Sequence, residues 1–294
     1  MIAATTPAGL LQAWLRRQLP GDATDWLEAQ AAAVAGGPSD RALFLAISLV
    51  HRRIGKADLA LSADDVAAAE AARPGWRPAG WSVDQAARVF LLLASGGPPE
   101  RFAERLEQLF VTADVGELIA FYRGLPLYPE QPRYVERAAE GVRTNMKAVF
   151  EAVAHNNPYP AEQFSEQRWN QMVVKALFIG STLHPIQGLE RRWNADLMRM
   201  LCDYAHERWA AGRSVSYELW RGVGPFADAA AIDDLARVLD RGAPVERQAA
   251  ALALAESKHA EAARLLARDP ALAAAVRGGE INWDALAAKH VSPS

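Results

Sequence analysis

The sequence is short of cysteine, lysine and long apolar runs, and each shortage removes a class of protein. Cys202 is the single cysteine among 294 residues, so there is no internal disulfide and no cysteine cluster for structural zinc. Five lysines, at positions 56, 147, 175, 258 and 289, leave 27 of the 32 basic residues as arginine. A lysine in apolar surroundings therefore stands out. The longest apolar stretch, 42–50 with one serine in it, is about half as long as a membrane-spanning helix. The start, MIAATTPAGLLQAW, has no basic segment ahead of an apolar block and soon turns polar at Arg16 and Arg17, unlike a signal peptide. The expectation is a soluble chain with a cytoplasmic address and no membrane span. Neither charge dominates: 32 Lys+Arg against 35 Asp+Glu leaves −3, with no bias toward nucleic acid or anionic membrane. HExxH, GxGxxG, GxSxG and the GxxxxGK phosphate loop are all missing. These are the spacings by which zinc hydrolases, dinucleotide enzymes, serine esterases and nucleotide hydrolases place their reacting groups. No cofactor and no metal site are expected.

Alanine, by contrast, occurs 60 times, and Ala, Leu, Arg and Glu together favour helix while β-branched clusters are scarce. The expected fold is all-α with no sheet. Helix starts are marked by Thr6 before Pro7, Ser39 before Asp40, the capping-box pattern Ser82-Val-Asp-Gln85, Ser165 before Glu166 and Asn194 before Ala195. Apolar periodicity places helices near 7–18, 24–35, 40–54, 63–72, 83–95, 99–110, 114–123, 132–155, 166–179, 195–211, 227–241, 244–257, 259–268, 270–277 and 283–289. Segments 73–81 and 124–132, rich in Pro, Gly and aromatics, read as ordered loops. In the last third, IDDLARVL, a Gly-Ala-Pro break and VERQAAALAL resemble a HEAT-type helical pair followed by part of another. That pattern suggests a helical-hairpin array of α-solenoid kind, against the alternative of an Ala-rich bundle without repeats. The organisation expected is an N-terminal helical region 1–131, a core 132–226 and Ala-rich helices 227–294, within one continuous domain.

Residues 132–222 differ from their flanks in being aromatic and Asn-rich. Four runs stand out: TNMKAVFEAVAHNNPYPAEQF (144–164), WNQMVVKALFIGSTLHPIQGLERRWN (169–194), LCDYAHERWAAGR (201–213) and ELWRGVGPF (218–226). In order and wording they resemble the EboA family of bacterial proteins. Upstream of Arg133 the sequence is generic helical. The resemblance implies no catalytic residues, because the family has no established catalytic activity. Its members are encoded beside a UbiA-like prenyltransferase, a TatD-like hydrolase, a dehydroquinate-synthase-like protein and a sugar isomerase-like protein. In cyanobacteria that cluster is associated with moving a scytonemin precursor toward the periplasm. The implied role is an accessory or adaptor protein assisting assembly or export of a metabolite precursor. Its partners would be proteins of the same cluster, including the membrane prenyltransferase, and an apolar metabolite. Two alternatives stand beside it: an enzyme acting on a prenylated or glycosylated metabolite near Lys175, and a helical scaffold without ligand.

The residues themselves supply the site candidates. If helices 132–155 and 166–179 run antiparallel about the NNPYP connection, residues whose numbers sum to about 320 face each other, and Asn145 meets Lys175. A buried ammonium needs an acceptor, so the pair reads as a polar point in a ligand pocket, or else Lys175 snorkels to water. His184 would approach Glu136 and Glu140 as an acid–base pair or as a surface hydrogen bond. In the long 180–193 loop, Gln187, Arg191 and Arg192 beside Trp193 suit a phosphate or carboxylate, or are solvent-facing charges. Asn156 and Tyr159 in the NNPYP turn and the neighbouring Trp169 read as ligand contacts or as turn and core residues. Cys202, in an amphipathic helix with no histidine three residues on, reads as inert packing.

Overall fold

A computed structural model describes residues 5–35 and 40–290, and within them every regular element is helical apart from an isolated bridge between Asp58 and Ser82. No helix among the described residues is long and apolar enough to cross a membrane. Contacts divide the chain into two units, 1–164 and 165–294.

The first unit contains α1 (Pro7–Gln18), α2 (Gly21–Ala35), α3 (Arg41–Ile54), α4 (Ala63–Ala72), α5 (Val83–Ala94), α6 (Pro99–Thr112), α7 (Val115–Gly124), α8 (Val135–Arg143), α9 (Lys147–Ala154) and α10 (Tyr159–Gln163). Its centre is α5, on which α1, α2, α3 and α7 pack. The reason is visible in α5 itself: Ala86, Ala87, Val89, Phe90, Leu91 and Leu92 are all buried, so the helix is apolar around most of its circumference. Two charges go into the core with it. Asp84 and Arg88, one turn apart, form an ion pair of 2.5 Å with side chains 5% and 1% exposed. The loops 73–81 and 124–132 are ordered as expected, because their aromatics are core: Trp76 lies 5.4 Å from Trp14, and Tyr128 is 2% exposed.

Several caps behave as the sequence predicts. The side chains of Thr6, Ser165 and Asn194 accept from the backbone N–H groups of Gly9, Arg168 and Leu197, and Gln85 reaches back to the Ser82 N–H at 3.2 Å. The Ser39 cap lies outside the described residues.

The helix expected over 132–155 is interrupted. A 3-10 turn, Gln131–Tyr134, leads into α8, and the chain then leaves helical geometry at Thr144 (ψ 154°) before α9 begins. The Thr144 hydroxyl accepts from the Met146 N–H at 3.1 Å, a local side-chain bond that competes with the helical ladder. The straight antiparallel register that set Asn145 opposite Lys175 therefore has no continuous helix to rest on.

The second unit contains α11 (Glu166–Phe178), α12 (Leu189–Arg192), α13 (Ala195–Ala210), α14 (Ala229–Arg241), α15 (Pro244–Glu256), α16 (Ala260–Leu266), α17 (Pro270–Arg277) and α18 (Trp283–His290), with a 3-10 segment at Tyr217–Gly222. Here α15 is central: Ala249–Leu254 are buried without interruption, and α14, α16, α17, α18 and the 3-10 segment pack on it. Small side chains allow that close approach. Gly224 lies so near the backbone of Ala253 that a Cβ there would clash with its carbonyl.

Candidate ligand groove

α11 has two working faces. Trp169, Met172, Val173, Ala176 and Leu177, at helical spacing, are buried, whereas Gln171, Val174, Lys175 and Phe178 repeat that spacing one step round and line an open groove. α13 does the same: Leu197, Met198, Leu201, Cys202 and Ala205 are buried, while Met200, Tyr204, Glu207 and Arg208 face the groove from the other side. The two helices are clamped at the start of α13. Asn170 and Asn194 exchange side-chain hydrogen bonds of 3.1 and 2.9 Å, and the Asn194 oxygen also caps α13 through the Leu197 N–H at 2.8 Å. Further along, the Tyr204 hydroxyl donates to the Leu177 carbonyl at 3.3 Å.

The groove encloses about 740 Å³, within the range of about 300–1,000 Å³ usual for small-molecule sites. Val174, Phe178, Met200 and the Tyr204 ring make its walls apolar, and Lys175, Arg208 and Arg213 against Glu207 make its polar content net cationic. The Lys175 ammonium stands 5.0 Å from the centre of the Phe178 ring, a cation–π distance. Arg208 is held by its Nε–H, which donates to the Ser214 carbonyl at 3.0 Å. Such a groove can take an apolar body and meet an anionic or carbonyl end with a positive charge.

The other sequence candidates have separate places. Asn145 is exposed at the break between α8 and α9. Asn156, just beyond the His155 cap of α9, takes the left-handed conformation (φ 51°) and is exposed. Tyr159 is fully buried, with its hydroxyl donating to the Gln131 carbonyl at 2.6 Å. Asn157 organises that turn: its amide donates to the Tyr122 and Ala152 carbonyls at 3.1 and 3.2 Å, and its oxygen accepts the Tyr159 N–H at 3.0 Å. Trp169 is buried beneath Arg192, whose guanidinium lies 4.8 Å from the ring centre. Burial pulls the Arg192 pKa down. Arg191 is exposed and Gln187 half-buried. His184 is 3.8 Å from Asp284 through its ring, while Glu140 is engaged by Arg137 at 2.5 Å.

The 180–193 loop is built, not loose. Glu218, 5% exposed, accepts the backbone N–H groups of Leu183 and His184 at 2.9 and 2.8 Å, one on each carboxylate oxygen. Cys202 is buried, and desolvation pushes its thiol up to about 12, which leaves it without nucleophilic character at neutral pH. Lys175 is conspicuous in the sequence, whereas its groove neighbours are not. Their signal was the second periodic face of α13, where Met200 and Tyr204 interrupt the polar side of an amphipathic helix.

Fold and groove together define an all-helical protein with a small-molecule-sized recess between two paired helices. The chain belongs to the EboA family: the family model, described as metabolite traffic protein EboA, matches residues 8–224. The match takes in the whole groove and extends upstream of residue 144 through the N-terminal helices. Among curated proteins and among solved structures, nothing matches the chain.

Proposed function

We propose that this chain is an accessory protein of a secondary-metabolite or isoprenoid-linked pathway that holds an apolar precursor in the α11–α13 groove and hands it on unchanged. The observation that carries the reading is Phe178, whose side chain is 66% exposed on the groove wall. A bound apolar group would remove that ring from water. The metabolite-traffic description of the family supports a cargo role, and the open shape of the groove favours a carrier over an enzyme that encloses its substrate. By resemblance, the cargo is of scytonemin-precursor type in cyanobacterial relatives. The protein partners are products of the same gene cluster, with a membrane UbiA-like prenyltransferase as the source of a prenylated cargo, and the place of action is the cytoplasm. The α14–α15 hairpin and the helices after it are read as a HEAT-like face available to those partners.

Native mass spectrometry of the protein with its neighbouring gene products and a lipid extract tests the proposal. A bound metabolite is expected, and Phe178→Asp should weaken its retention by about tenfold or more, the equivalent of losing one buried aromatic contact. A wild-type chain that captures nothing would end the reading. His184→Ala, outside the groove lining, is expected to leave conversion of the pathway intermediate intact while folding normally, whereas Lys175→Met should weaken cargo retention; chemical conversion of the bound metabolite by the purified chain, abolished by Lys175→Met, would favour the enzyme alternative.

A further inference from the structure

The second unit contains another hollow, separate from the groove, of about 250 Å³. That volume is below the usual range for whole-metabolite sites and suits a single chemical group. It is lined by Trp209, Ser214, Trp220, Arg237, Arg241 and Glu246 among others. Trp209 stacks on Trp220 with ring centres 5.8 Å apart and planes 24° from parallel, and the Arg237 guanidinium lies 4.1 Å from the centre of the Trp209 ring. The stack holds Arg237 in place at the edge of the hollow.

Arg241 follows Arg237 by four residues on α14, so both guanidinium groups project from one helix face, where like charges repel. Among the described residues neither has a carboxylate partner. The nearby acids are engaged elsewhere: Asp234 with His206 at 2.8 Å, Asp240 with Arg268 at 2.9 Å, and one Glu246 oxygen with the Ala243 N–H at 2.7 Å. Trp220 is fully buried and forms the floor on which Trp209 stacks. The hollow thus gathers two guanidinium groups and the Ser214 hydroxyl, all able to donate, beside a Glu246 carboxylate that one oxygen ties to the Ala243 N–H.

The geometry points to an oxyanion site in this hollow, taking a phosphate or diphosphate group, with Arg237 and Arg241 as the charged ligands. Guanidinium forks match phosphate oxygens two at a time. A bridging anion would also relieve the repulsion between the two arginines. The site's charged ligands, Arg237 and Arg241, lie beyond the family match at residue 224. It requires no cargo in the α11–α13 groove.

Calorimetric titration of the full chain with inorganic pyrophosphate, inorganic phosphate and acetate, at ionic strength matched with chloride, tests it. Pyrophosphate is expected to bind and to change the tryptophan emission through the Trp209–Trp220 stack. Arg241→Gln, a change at an exposed residue without a carboxylate partner, should weaken binding about tenfold or more. Arg264→Gln removes the same charge from a side chain 82% exposed on α16 and should leave binding unchanged. Absence of pyrophosphate binding to the wild type would overturn the proposal, as would equal weakening by Arg264→Gln. Acetate binding as tight as pyrophosphate would overturn the phosphate assignment.

Discussion

Asp84→Ala is expected to destabilise the protein by about 3–5 kcal/mol, the usual cost of leaving one member of a buried ion pair without its partner. Arg88 is the reason. Its side chain is 1% exposed and its Nε already lacks a hydrogen-bond partner, so the 2.5 Å contact with Asp84 is its main electrostatic compensation. Asp84 also accepts the Ser82 hydroxyl at 2.5 Å just before α5 begins, which ties the start of the central helix to the pair. The loss should appear as a lower denaturant midpoint with an unchanged m-value. The double change Asp84→Ala with Arg88→Met removes both charges and is expected to recover part of the stability, since the unpaired buried guanidinium is the larger share of the single variant's cost. A single variant as stable as the parent would show that Arg88 finds water or another acceptor on relaxation. A double variant no better than the single one would move the cost from electrostatics to packing.

That pair also shows where the sequence stops being readable. Asp84 and Arg88 stand one turn apart in SVDQAARVFLLLA, a spacing that on most helices is a solvated surface pair. Only the packing of α1, α2, α3 and α7 around α5 turns it into a buried one, and no local pattern encodes those neighbours. Helix ends, by contrast, are local. Thr6, Ser165 and Asn194 cap through their own side chains, so their chemistry is written within three residues of each start. The break at Thr144 is local too, yet a threonine bonding its own turn competes with the helix only by a small margin, and periodicity alone runs straight across it.

The groove follows the same rule. Lys175 drew attention because lysines are few, and it stands on the groove wall. The other wall is assembled from Tyr204, Glu207 and Arg208 on α13, whose sequence reads as the polar side of an amphipathic helix. The helices are tied together by the Asn170–Asn194 exchange, a contact across 24 residues that spacing does not announce. The loop 180–193 carried the right residue types for anion binding, but the group that orders it, Glu218, lies 34 residues beyond His184 and looked like one more acidic residue.

Glu218→Ala is accordingly expected to cost about 3 kcal/mol, because two backbone N–H groups, those of Leu183 and His184, lose charge-assisted acceptors in a buried setting. Glu218→Gln retains the shape but turns one acceptor into a donor facing an N–H, so it should recover only part of the loss. Hydrogen exchange separates a local effect from a global one. The Leu183 and His184 amides should lose protection in both variants ahead of the α15 amides, since α15 is held by Ala249–Leu254 in the core. Uniform loss of protection across the second unit would mean that Glu218 is a keystone of the fold and not of the loop alone. The distinction matters for function, because the α11–α13 groove is clamped by Asn170 and Asn194 and contains no residue of the 180–193 loop. If the loop loosens by itself, cargo retention in Glu218→Ala should match that of the parent protein, and a role for Gln187, Arg191 and Arg192 in traffic would then have to lie in contacts with a partner protein and not in holding the cargo.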